Sequence, residues 1–139
     1  MAYEETLRNI SLDADASLAA QTGISGTPGA ASPHYGPALF RFVKVTGAHA
    51  CGRAAAQTDD VIGVCQNKPQ VVGGATTVAI AGVTMLMAGA AVAATDKISS
   101  DNQGRGVPLG GAGAGAVQFG VAVDAAAAAG HLFPMLIKV

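Results

Sequence analysis

Apolar and small or polar positions alternate most regularly near the end of the chain. Val117, Phe119, Val121 and Val123 stand against Gln118, Gly120 and Ala122, giving one bulky and one small face, as a half-buried strand requires. The last run repeats the pattern. His131, Phe133, Met135, Ile137 and Val139 share one face, and Leu132, Pro134, Leu136 and Lys138 share the other. Pro134 removes a ladder donor, which predicts an edge strand or a break there. Residues 124–130 between these runs read as one short helical turn or an Ala-rich loop.

Upstream, residues 39–45 (LFRFVKV) are rich in β-formers and end at Gly47, and residues 61–65 form a short apolar run after the turn-like Thr58, Asp59 and Asp60. Residues 76–81 and 83–87 flank Gly82, which reads as a bulge or sharp bend between two strands. Residues 97–100 and 106–109 flank Asp101-Asn102-Gln103-Gly104, a hairpin turn by composition. Short strands at this spacing predict an all-β protein, a small β-sandwich or a partly open β-barrel.

The first 37 residues differ. Leu7, Ile10, Leu12 and Leu18 are scattered with weak helical spacing, and Gly23, Gly26, Pro28, Gly29, Pro33, Gly36 and Pro37 then punctuate the chain. Neither a long helix nor a long strand survives that density. The expectation is an extended N-terminal arm over residues 1–37, able to order on a neighbouring subunit, ahead of a β domain over residues 38–139.

Composition sharpens the picture. Between Lys68 and Asp96 no residue is charged for 27 positions, yet the run is built from Val, Ala, Gly, Thr and Met and is cut by glycines. The two-residue period of Val78 and Ile80, and of Val83, Met85 and Met87, argues for strands over a membrane-spanning helix. Charged residues are 12% of the chain, against roughly 25% in an ordinary soluble domain. A net charge of −1 leaves little repulsion between copies, and a surface so thinly charged points to burial against partner subunits. No basic stripe with interleaved aromatics supports nucleic-acid binding. Glu4 and Glu5 stand where a signal peptide would be basic, so export by that route is not expected, and Cys51 and Cys65 read as buried thiols in a reducing cytoplasm.

Chemical motifs are sparse. His49, Cys51 and Cys65 match no zinc spacing. Residues 111–116 (GAGAGA) fit a dinucleotide fingerprint by letter only, because a strand follows where a helix is needed. The aspartates sit mostly in turn-like contexts, and no nucleophile elbow accompanies Ser or His. No catalytic, cofactor or metal residues are assigned. A hydrolase or ligand-binding barrel would instead need a cleft lined by His49, Cys51 or Asp59.

Several segments taken in order resemble tailed-phage capsid cement, or head decoration, proteins. They are Phe42-Val43-Lys44 followed by Gly47, Asp59-Asp60-Val61-Ile62-Gly63-Val64-Cys65-Gln66-Asn67-Lys68-Pro69, Val78-Ala79-Ile80-Ala81-Gly82-Val83, Asp101-Asn102-Gln103-Gly104-Arg105, and Phe119-Gly120-Val121-Ala122-Val123-Asp124 with its alanine tail. The likeness covers roughly residues 39–139; the Gly/Pro arm and the GAGAGA loop depart from it. It implies a non-enzymatic virion protein, made in the host cytoplasm, that binds the outside of the mature shell and bridges neighbouring major capsid subunits. Its partners would be the major capsid protein and copies of itself, a trimer matching three-fold shell positions, with no nucleic acid, membrane or cofactor. Candidate intersubunit or capsid contacts are Tyr3, Leu7, Ile10, Leu12, Leu18, His34 and Tyr35. Another self-assembling β protein, of a fibre, pilus or shell, would fit the composition equally well.

Overall fold

A computed structural model describes residues 7–19, 38–111 and 113–138. Nine strands dominate the described residues: β1 (Arg8–Ala14), β2 (Phe42–Gly47), β3 (Ala50–Arg53), β4 (Val61–Cys65), β5 (Ala75–Met87), β6 (Lys97–Ser100), β7 (Gly106–Pro108), β8 (Gly120–Ala122) and β9 (Leu132–Ile137). A single helical turn, α1 (Ala16–Ala19), follows β1. Strands β1-β3-β2-β4-β5 form a ring that closes through β1–β5 pairing. The β1–β3 pair is parallel and the other pairs antiparallel, so this is a closed, five-stranded mixed barrel. The sheet continues as β5-β9-β8-β6-β7.

Strand β5 belongs to both halves. Its residues 75–81 pair with β1 in the barrel, and its residues 82–87 pair with β9. Gly82 marks the crossing with φ +100°, a backbone conformation that side chains disfavour. The expected pair of strands is therefore one bent strand, and the glycine redirects it without ending it.

Two cores follow. Inside the barrel, Ala14, Leu18, Val43, Cys51, Cys65 and Val78 are buried together. Between barrel and second sheet, Phe42 and Val64 meet Leu86, Ile98, Phe133 and Met135. Phe42 and Phe119 pack as tilted rings 5.4 Å apart. Cys51 and Cys65 are free thiols, and burial raises both, Cys65 to about 11.

Several sequence expectations shift in position. Part of the segment read as an arm is barrel wall: β1 pairs with β5 from Arg8 opposite Ala81 to Asp13 opposite Ala75, and Leu18 is fully buried. Residues 1–6 and 20–37, with Tyr3, His34 and Tyr35, lie outside the described residues. The run at 39–45 enters its strand only at Phe42, because Phe40 turns the chain with φ +59°. Strand β9 is interior, between β5 and β8, not an edge. Pro134 is tolerated there because β8 ends at Ala122; its carbonyl still accepts a hydrogen bond from the Val123 N–H at 2.9 Å.

Candidate functional site

The second sheet buries one face and leaves the other uncovered in part. Phe133 and Met135 point into the core and are fully buried. Leu132, Pro134 and Leu136 alternate with them and point away. Register then builds a lateral row. Val83 lies opposite Leu136, Leu136 opposite Val121, and Val121 opposite Lys97. A second row sets Met85 opposite Pro134. Leu136 is 44% and Met85 36% exposed, and the rows form an apolar stretch of sheet face that ends at Lys97 on β6, with the exposed Lys138 two residues beyond Leu136.

Sequence periodicity made Val117, Phe119, Val121 and Val123 one face of a strand. Only Gly120–Ala122 is strand, and Gly120 and Ala122 take the core side. A Cβ at Gly120 would meet the Met135 side chain and the Leu136 carbonyl at 2.6 Å, so only the smallest residue lets β8 lie that close to β9. Val121 is thereby turned onto the outer face beside Leu136. Phe119 reaches the core from the irregular chain before the strand, while Val117 stays 44% exposed.

A second exposed apolar feature is the β4–β5 connection. Val71 and Val72 are 64% and 68% exposed. The turn is closed by the Gly74 N–H donating to Val71 C=O at 2.9 Å and is anchored where the Gly73 N–H donates to Ala14 C=O at 2.8 Å. Both features fall in the uncharged run of residues 69–95 or pair with it.

The candidate contact residues are dispersed. Leu18 is sealed in the barrel and Leu12 packs against the same core. Leu7 is half-buried, and Ile10, 38% exposed, offers the most surface of the four that are described. His49 is exposed on a turn, Cys51 is buried, and Asp59 is held by Lys44 at 2.8 Å, so these three line no common cleft. Among the described residues no group of three or more His, Cys, Asp and Glu could hold a metal ion. No described helix is long and apolar enough to cross a membrane.

One residue that sequence reasoning passed over is Arg41. It is fully buried; its Nη1 donates to Gln103 C=O at 2.9 Å, while Nε and Nη2 find no acceptor. Desolvation, with Arg53 and Arg105 nearby, lowers its pKa well below the usual arginine range, to about 10. Its position two residues before the inward-facing Val43 is the signal that could have placed it. Arg41→Met is expected to stabilise the fold by about 1–3 kcal/mol at neutral pH, since relief of an under-paired buried charge outweighs one lost hydrogen bond. The unfolded chain holds the extra proton above pH about 10, so wild-type stability gains on the variant as pH rises from there toward the ordinary arginine range. Denaturant melts of both proteins at neutral and alkaline pH check sign and window.

None of the curated proteins compared matches the chain. Among solved structures, the head fiber gp8.5 N base in bacteriophage phi29 superposes with a TM-score of 0.62. The likeness covers 96% of this chain and 95% of that one at 17% identity, and speaks for a shared fold. The profile of the phage cement protein family matches residues 40–138, which takes in strands β2 to β9 and the outer sheet face. The chain therefore belongs to the phage cement protein family, and is a structural, non-enzymatic, capsid-associated component of the virion.

Proposed function

We propose that this protein binds the outside of the mature capsid and stabilises it by bridging neighbouring major capsid subunits, with the apolar outer face of the second sheet as its principal contact. The observation that carries this reading is the row Val83, Leu136 and Val121, apolar across three strands and partly open to solvent in the isolated chain. Hydrophobic burial contributes about 25 cal/mol per Å², and many copies on one particle multiply a modest contact. The scarcity of charge lowers the cost of removing water from such a joint. Self-association as a trimer suits three-fold positions of a shell, and residues 20–37 supply an uncharged stretch able to extend over a neighbour.

Purified protein added to undecorated capsids is the test. The expected result is saturable binding and a higher melting temperature of the shell. Failure to bind mature capsids at any protein concentration would remove this reading.

A further inference from the structure

Three of the chain's four arginines meet at the turn between β6 and β7, residues 101–105. Arg41 reaches it from the residue before β2, where its Nη1 donates to Gln103 C=O at 2.9 Å. Arg53, the last residue of β3, lies against it, since a Cβ added to Gly104 would stand 2.9 Å from Arg53 Cγ. Arg105 belongs to the turn and pairs its Nε with Asp101 Oδ2 at 2.7 Å. Backbone bonds hold the turn to both barrel strands. The Phe42 N–H donates to Gly104 C=O at 2.7 Å, and Phe42 C=O accepts from the Ala54 N–H at 2.9 Å.

Charge at this turn does not balance. Asp101 is its one carboxylate and is already engaged. Oδ1 accepts from the Gln103 and Arg105 N–H groups at 2.8 Å each, and Oδ2 takes Arg105 Nε. Asp15 lies near β3 at Gly52, but Ser17 holds its Oδ1, and among the described residues it forms no ion pair with Arg53. Arg53 and Arg41 are thus left without a carboxylate. Arg53 is half-buried, whereas Arg41 is fully buried and its Nε and Nη2 have no acceptor. Those two N–H groups form one edge of the guanidinium, the fork that meets two oxygens side by side. Water would satisfy the N–H groups but would leave the buried charge uncompensated. Desolvation and then the two neighbouring arginines depress Arg41, and Asp101 restores only part of that loss.

We propose that the free fork of Arg41, with Arg53 at the same turn, binds a small inorganic oxyanion of the phosphate class. Asn102 and Gln103 are exposed, so the buried head group lies beneath a surface turn. The edge itself is shut off from solvent, which favours a free ion over a phosphate carried by a macromolecule. A fork matches paired oxygens and not a spherical halide, so chloride is a poor substitute. The bound ion ties β2 and β3 of the barrel to the β6–β7 hairpin of the second sheet. Binding needs no capsid, and the free protein tests it.

Thermal melts are run across a millimolar titration of sodium phosphate, against sodium chloride of equal ionic strength. The expected result is a saturable rise of the wild-type melting temperature, about 5–10 °C at a hundredfold excess over the dissociation constant. Arg41→Met is the more stable protein without phosphate and shows no such rise. Arg41→Lys keeps the charge but loses the fork, and is expected to lose the rise as well. Arg53→Gln is expected to weaken binding by about tenfold. Far-UV circular dichroism confirms that each variant is folded, and calorimetric titration of phosphate into wild type should give one site per chain. Absence of a saturable rise in wild type would overturn the proposal without any variant. An equal rise in wild type and Arg41→Met would be the general effect of an excluded salt, and would overturn it. A full rise kept by a folded Arg41→Lys protein would show that the fork binds nothing, and would overturn it too.

Discussion

Replacing Gly63 by alanine is expected to destabilise the protein by about 3 kcal/mol or more, and to lower its melting temperature by roughly 10 °C. A Cβ at Gly63 would run into the Ala79 carbonyl oxygen and would stand 2.8 Å from Val78 Cγ1. The first contact is with backbone, so no side chain can turn aside to relieve it. Strand β4 would have to withdraw from β5. That joint is short, with Val64 opposite Ala79, Cys65 opposite Val78, and the Gln66 N–H donating to Thr77 C=O beyond them. It is also one of the joints that close the barrel, so its loss exposes two strand edges and opens the core around Cys65 and Val78. Gly110→Ala is the matched control, since a Cβ there meets nothing within 4 Å and the backbone is not left-handed. Thermal melts of the two variants beside wild type decide the matter. Equal melting of all three would mean that β4 does not approach β5 this closely.

Leu136→Lys is expected to leave folding nearly unchanged and to weaken capsid attachment by about 100-fold or more. The isolated chain tolerates the change because Leu136 is 44% exposed and its side chain points away from the core. Surface substitutions of this kind usually move stability by no more than about 0.5 kcal/mol. On the particle the same ammonium would sit at the centre of the row running from Val83 to Val121, with Lys97 already at its end. An unpaired charge taken out of water costs several kcal/mol, and none of the described residues paired in this row is acidic. Co-sedimentation with undecorated capsids measures attachment, and a melt of the free variant confirms the fold. Wild-type attachment by a folded Leu136→Lys protein would show that this face stays in solvent.

The sequence carried the second sheet well where period two was unbroken. Phe133 and Met135 face the core and Leu136 faces out, as alternation requires. It misled where local geometry broke the period. Phe119 and Val121 are two residues apart yet lie on opposite sides of the sheet, because Gly120 is drawn tight against Met135 and the strand begins only there. Strand β1 was hidden by its neighbours. Ile10, Leu12 and Ala14 do recur every second residue, but the glycines and prolines of residues 20–37 coloured the reading of everything before them. Barrel closure was equally invisible, since it depends on β1 meeting both β3 and β5 across long sequence separations. The apolar outer face was legible only as a composition, an uncharged run of 27 residues. Its geometry needed the register of β5, β8 and β9.

The most direct test of that face is hydroxyl-radical footprinting of the protein free in solution and bound to capsids. Met85 and Leu136 are 36% and 44% exposed and should label in the free protein, whereas Met87 and Met135 are fully buried and should not. On the particle, labelling of Met85 and Leu136 is predicted to disappear while Val71 and Val72 still react. Unchanged labelling of Met85 and Leu136 on the particle, with protection moving to Val71, Val72 or Val45, would contradict it.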